Sequence, residues 1–289
     1  MKNWIIWVLA FIITIGAAIY QKKTGPTYPK TEKITLNGTE YKISMLRSLD
    51  HDNKARLRVP LYDSNSKVMV IFHRYLVNEP YDTIVFQKTA GTKHRGFLLS
   101  LLLGKNKFEK EHLTAILPDQ PPAGKLQYYL VFENNNQIIE LRKENPVIIR
   151  FKGEVPGRVL IPHIFIMFFA MFLSNIAGLM AIFKKKQFWR YTILTFIFII
   201  IGGLWLGPVV QKYAFGEYWT GIPFGWDLTD NKTLYAIIFW LIALLGSLRK
   251  RRAWLTILAA VMMLVVFSIP HSMFGSQLNY TTGSISTGK

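Results

Sequence analysis

The chain has 289 residues, 51% of them apolar, and its 35 Lys and Arg against 17 Asp and Glu give a formal net charge of +18. It has no cysteine, which excludes disulfide scaffolds, thiol catalysis, Cys-ligated zinc and covalently attached c-type haem. No recognised nucleic-acid module accompanies the basic excess, so attraction to anionic lipid accounts for it better than nucleic-acid binding.

The first apolar run, Trp4 to Tyr20, follows a single basic residue, Lys2. Gly16-Ala17-Ala18 is only a fair match to a small-x-small cleavage site, so residues 1–24 are expected to remain as a signal-anchor transmembrane helix.

Residues 25–158 carry strand signals. Ile34 to Leu36 and Thr39 to Ile43 flank Asn37-Gly38, a dipeptide suited to the positive backbone angles of a type I′ hairpin. Further strands are expected at Ala55 to Tyr62, Lys67 to Val77, Thr83 to Lys88, Gly96 to Leu103, Leu113 to Leu117, Lys125 to Glu133, Gln137 to Arg142 and Val147 to Phe151, separated by turn formers. Short strands at this spacing predict an antiparallel β-sandwich. The stretch Leu117-Pro118-Asp119-Gln120-Pro121-Pro122-Ala123-Gly124-Lys125-Leu126-Gln127-Tyr128-Tyr129, a proline-rich corner leading into a strand with tyrosine near its start, resembles the late strands of fibronectin type III and related immunoglobulin-like sandwiches. That resemblance covers roughly thirty residues and implies fold alone. The cysteine pair and buried tryptophan of antibody domains are missing. No HExxH, GxSxG or complete Walker A pattern occurs, and no catalytic residue is assigned. Asp50-His51-Asp52 reads as a solvated turn, because neighbours in an extended segment face opposite ways.

Residues 159–274 contain four further apolar runs, Val159 to Phe183, Phe188 to Val210, Leu234 to Leu248 and Ala253 to Phe274. Each is long enough to cross a hydrocarbon core of about 30 Å at about 1.5 Å per residue, provided the third borrows a turn from Asp230 to Thr233. The connections Lys184-Lys185-Lys186 and Arg249-Lys250-Arg251-Arg252 are basic and predicted cytoplasmic by the positive-inside rule. Five spans then place the N terminus inside, with the sandwich, the loop 207–232 and a flexible C-terminal tail, 275–289, outside, in a membrane read as a bacterial cytoplasmic one. Ala170, Ser174 and Gly178 recur every four residues and invite close helix packing, with Asn175 bonding a neighbouring helix. No acid interrupts the five spans, so an ion-coupled transport site has no candidate.

The loop 207–232 gathers aromatic residues, glycines and Glu217, Asp227 and Asp230, the only acids after Glu154. Glu217, Trp219, Trp226 and Asp227 are its candidate ligand or partner contacts. Thr229 or Asp230 is expected to cap the following helix, and Gly216 and Gly221 to permit bends. One constellation could carry chemistry: His163 and His271, each near the outer end of a span, as cofactor-binding residues, with Met167 and Met273 as possible metal ligands for haem iron or copper. The competing reading is a packing row of methionines and histidines bonded to water or a carboxylate, with no cofactor. The leading expectation is a non-enzymatic envelope protein whose outer sandwich docks a protein or envelope polymer and whose helices assemble with lipid and membrane partners. The alternative is a haem-, copper- or quinone-binding module.

Overall fold

The computed structural model describes residues 2–50, 54–62, 67–90, 111–134, 137–270 and 275–287. It divides into two units: a sheet unit, Pro29–Lys152, and a helical unit of Met1–Tyr28 with Gly153–Lys289.

In the sheet unit, β1 (Lys30–Leu36) and β2 (Thr39–Met45) form an antiparallel hairpin. Asn37 and Gly38 take φ of 49° and 75° at its turn, the pair of positive angles that the dipeptide predicts. Then follow β3 (Ser48–Asp50), β4 (Ala55–Pro60), β5 (Lys67–Arg74), β6 (Asp82–Val85), β7 (Gln87–Thr89), β8 (His112–Leu117), β9 (Lys125–Asn134), β10 (Gln137–Leu141) and β11 (Val147–Lys152). The strand expected at 96–103 lies outside the described residues, as do His51 and His94. One sheet runs β3-β11-β9-β5-β6, with β10 also on β9, and another runs β4-β8-β7.

The larger sheet is mixed, which corrects the expectation of a purely antiparallel arrangement: β3 and β11 pair in parallel, while β4, β8 and β7 pair antiparallel. Parallel neighbours need a long crossover, and here almost a hundred residues of chain intervene, a distance over which local turn signals say nothing. β5 also stops short of Val77. Its end is fixed by Glu79, whose carboxylate accepts the Arg74 N–H at 2.7 Å and pairs with the Arg74 guanidinium. That partner holds the Glu79 carboxyl below the usual carboxylate range.

Alternation places the core. On β4, Ala55, Leu57 and Val59 point inward while Arg56 and Arg58 stay exposed. Val68, Val70 and Phe72 of β5 join Leu126, Tyr128, Leu130 and Phe132 of β9 and Ile34 and Ile43 of the hairpin in one continuous cluster. Each such side chain contributes about 1.5–3 kcal/mol on full burial. The Tyr128 hydroxyl donates to the Leu46 carbonyl at 2.9 Å, which satisfies its one polar atom inside this core.

The helical unit comprises α1 (Asn3–Thr24), α2 (Gly157–Ile182), α3 (Phe188–Ile199), a π-helical stretch Ile200–Leu206, α4 (Gly207–Phe215), α5 (Leu228–Leu245) and α6 (Ala253–Ser268), then a small hairpin of β12 (Ser276–Leu278) and β13 (Ile285–Thr287). Four helical segments, 3–24, 157–182, 188–215 and 228–245, are long and apolar enough to cross a membrane; α6 is apolar but shorter. Sequence reading carries that last run to Phe274, but the helix stops at Ser268. Pro270 is the reason: it disfavours helical backbone at the residue before it, and Ile269 takes ψ of 120°.

The π-helical stretch also has a local cause. Pro208 lacks the N–H that would bond the Leu204 carbonyl, and its ring crowds that carbonyl. The turn widens, so that the Gly207 N–H reaches Gly202. Gly202 and Gly203 meanwhile admit close neighbours: a Cβ on Gly202 would stand 2.6 Å from Met167 Sδ, and one on Gly203 2.8 Å from a Thr233 methyl.

Small residues set the other crossings. A Cβ on Gly178 would stand 2.7 Å from the Ala260 Cβ, which brings α2 against α6. Asn175 donates to the Thr14 hydroxyl of α1 at 2.9 Å, the interhelical bond expected of it. Trp240 of α5 is wholly buried at the centre. At one end of the bundle the Arg251 guanidinium lies 3.8 Å from the Trp189 ring centroid, an attraction between a cation and the negative face of an indole. The two basic connections therefore share an end.

Candidate functional site

At the opposite end of α5 the helical unit buries a cluster of polar side chains. The segment entering it begins where Gly216, at φ of 90°, ends α4. Glycine takes this left-handed angle without the penalty a Cβ would bring. The chain then turns through Gly221 to Phe224, with a cis peptide between Ile222 and Pro223, and re-enters helix at Leu228.

Asp227 caps α5: one carboxylate oxygen accepts the Thr229 N–H at 2.8 Å. This corrects the expectation that Thr229 or Asp230 does so. The other oxygen of Asp227 accepts from the Ser276 N–H at 3.1 Å and the Ser276 hydroxyl at 3.2 Å. The cap thus fastens the start of β12 to the start of α5.

Asp230 turns the other way. Its Oδ2 accepts from the Thr220 N–H at 2.6 Å, Gln211 Nε2 at 2.9 Å and the Thr220 hydroxyl at 3.3 Å. Gln211 also donates to the Thr220 hydroxyl at 2.8 Å, and the Thr220 and Ser276 hydroxyls lie 3.4 Å apart. Asn231 accepts the Ile222 N–H at 2.7 Å. The middle of the 216–227 segment, at Thr220 and Ile222, is therefore held by the first turn of α5.

Lys232 is the cation of the cluster. It is 4% exposed, like Asp227, with Asp230 at 5%, and buried charges need such company to be tolerated. Its Nζ donates to the Ile269 carbonyl at 2.7 Å. Gln21 of α1 donates to that carbonyl at 3.3 Å and to the Phe267 carbonyl at 2.7 Å. These oxygens belong to the end of α6, where intrahelical donors have run out. Chemically the cluster is a lock: amide, hydroxyl and ammonium donors fill two carboxylates and a helix end, and join α1, α4, α5, α6 and β12.

Of the loop residues singled out from sequence, Asp227 stands in this cluster. Trp219 is half-buried beside it, its indole N–H donating to the Ile222 carbonyl at 3.0 Å. Glu217 is exposed, and Trp226 is 75% exposed. His163 has different neighbours. Its Nδ1 lies 3.0 Å from the Gly202 carbonyl at the π-helical stretch, and its ring faces Gly207. Donation from Nδ1 to that oxygen leaves Nε2 as the nitrogen with a lone pair. Met167 lies with its thioether against Gly202 and Gly203. His271 and Met273 lie outside the described residues, and among those residues no group of three or more His, Cys, Asp or Glu side chains could hold a metal.

Sequence reasoning passed over Gln211, Thr220, Asn231, Lys232 and Ser276. A signal was present: Thr229, Asp230, Asn231 and Lys232 are polar on every side of one helical turn, so some of them had to face inward. Compared with family models, with curated proteins and with solved structures, the chain matches none.

Proposed function

We propose that the chain is an integral membrane protein of five transmembrane helices whose sheet unit is an extracytoplasmic β-sandwich, immunoglobulin-like or fibronectin III-like, that docks a protein or envelope polymer. The helices anchor it and assemble with membrane partners, and its role is not enzymatic. The observation that carries this reading is the meeting of Arg251 with Trp189. It gathers both basic connections at one end of the bundle, as cytoplasmic loops would be, while the sheet unit joins α2 at that helix's other terminus. The continuous core of the sheet unit supports a self-contained module suited to presenting a surface.

Affinity isolation in mild detergent, comparing the whole chain with one lacking residues 29–152, tests the docking role. Partners lost with the sheet unit support it; an unchanged set of partners refutes it.

A second reading, a haem-, copper- or quinone-binding module, is favoured by one observation: the hydrogen bond from His163 to Gly202 leaves Nε2 as the ligating nitrogen. Optical spectra and metal content of the purified chain, and of a His163→Ala variant, distinguish it. An absorbance or metal lost with His163 would replace the docking reading.

A further inference from the structure

On one flank of the helical unit α1 and α6 part over α2 and leave a cavity of about 650 Å³. Ile13 and Tyr20 form one wall, Gly178 is in the floor, and α6 with the two residues after it supplies the other wall from Ile257 to Pro270. We infer that this cleft holds one hydrocarbon tail of a lipid whose anionic head group sits at Lys22 and Lys23. The inference rests on the membrane-spanning reading above.

The mouth decides between the possible occupants. From Ile257 to Ser268 the α6 wall rises roughly 17 Å at about 1.5 Å per residue, and a single extended chain of methylenes fits along it. Gly178 lets α2 close against α6 beneath the cleft, because a Cβ there would stand 2.7 Å from the Ala260 Cβ. Among lipid tails an unfilled cleft would leave its lining without dispersion partners on one side.

The two ends differ. At one, the lining finishes on Ile182 and Ile257, with no polar group; at the other it includes Tyr20 and Ser268. Ile13, Tyr20 and Lys23 fall on one stripe of α1, at spacings of seven and three residues. Lys22 and Lys23 are in the last turn of α1 and exposed. Gln21, between Tyr20 and these lysines, fastens this end of α1 to the Phe267 and Ile269 carbonyls, so the mouth has a fixed width. Two ammonium groups beside a polar mouth suit a phosphate-bearing head group.

The test uses the full chain in phosphatidylcholine vesicles containing a trace of phosphatidylglycerol spin-labelled at mid-tail. Wild type is expected to show a motionally restricted lipid component that falls by about one lipid per chain in Val261→Phe/Val265→Phe, which fills the cleft from an already exposed wall. Lys22→Gln/Lys23→Gln is expected to keep the restricted component but lose its preference for phosphatidylglycerol over labelled phosphatidylcholine. A restricted component unchanged by the Phe pair, or a head-group preference that follows Lys184 and Lys185 instead, overturns the proposal. Should the Phe pair fail to fold, Val261→Cys carries the test, since it would be the one thiol in the chain. A photoreactive group attached there is expected to capture lipid, and capture of protein overturns the proposal. Release of the wild-type chain from membranes by alkaline extraction would defeat the membrane reading itself; retention with no effect of the Phe pair would defeat only the lipid site.

Discussion

Gly221 and Asp230 touch so closely that a Cβ added to the glycine would stand 2.6 Å from the Asp230 Cβ, and 2.7 Å from the Asn231 amide oxygen. The glycine is needed for proximity, since its φ is not among the positive ones. Gly221→Ala must push the 216–227 segment away from α5 and is expected to cost about 1–3 kcal/mol. A lowered thermal midpoint of the helical unit in detergent, read from tryptophan fluorescence, checks it; all eight tryptophans lie outside residues 29–152.

Asp230→Ala removes the acceptor used by the Thr220 N–H and the Gln211 amide. Leaving the Thr220 N–H buried and unpaired, and Gln211 with the Thr220 hydroxyl alone, is expected to cost on the order of 3 kcal/mol. Asp230→Asn, which keeps one acceptor oxygen, is expected to lose less. Protease sensitivity of the 216–227 segment should rise in the order wild type, Asn, Ala. An Ala variant as resistant as wild type would show that the carboxylate does not hold the segment.

At the β1–β2 turn the expectation concerns backbone alone. Gly38 has φ of 75° and nothing within 4 Å of where a Cβ would stand, so Gly38→Ala meets no neighbour. It is expected to cost about 1 kcal/mol through the left-handed angle only. Hydrogen exchange of the hairpin amides should quicken while that of β9 is unaltered.

The sheet unit should also respond to alkaline pH. Burial, and then the nearby Arg150 charge, lower the Lys125 ammonium to about 8 from an ordinary 10.5. Below pH 8 the folded state carries the cost of holding that charge. Between about pH 8 and 10.5 the unfolded chain binds the extra proton, so stability rises with pH across this window. Tyr128 acts oppositely, since burial pushes its hydroxyl up from 10.0, and its contribution is lost as pH climbs past the unfolded value. Lys125→Met should flatten the rise between pH 8 and 10 in the denaturant midpoint of the β-sheet circular-dichroism signal. A slope of equal size in that variant would assign the effect elsewhere.

The two basic connections should be reachable from the same side. Single cysteines at Lys185 and Lys250 are expected to react with an impermeant thiol reagent under identical conditions in oriented vesicles, and one at Asn279 under the opposite condition. Labelling of Lys185 and Lys250 from different sides would contradict the end shared through Trp189 and Arg251.

The parts legible in the sequence were those fixed locally. Asn37-Gly38 declared its turn because only two backbone angles were at stake, and most strands of the described residues followed from alternation between turn formers, whereas β3, β12 and β13 were not foreseen. The parallel pairing of β3 with β11 was not legible, because register between strands so far apart depends on the closed core. Around α5 the polar residues were visible but their assignments were exchanged: Asp227 caps and Asp230 reaches back. Which carboxylate does which depends on where Thr220 and Ser276 arrive, and these come from segments that precede and follow the helix. The widening at Ile200–Leu206 could have been anticipated from Gly202, Gly203 and Pro208 taken together, whereas the use His163 makes of the Gly202 carbonyl could not.

The bond from Gln21 to the Phe267 carbonyl spans 246 residues of chain. At synthesis rates of about 5–20 residues per second, its acceptor emerges roughly 10–50 s after its donor. The Gln21 end of α1 is consequently among the last parts of the bundle to be fastened. A chain interrupted before Phe267 would still seat α1 on α2 through Thr14 and Asn175, but the last turn of α1 would have no tether.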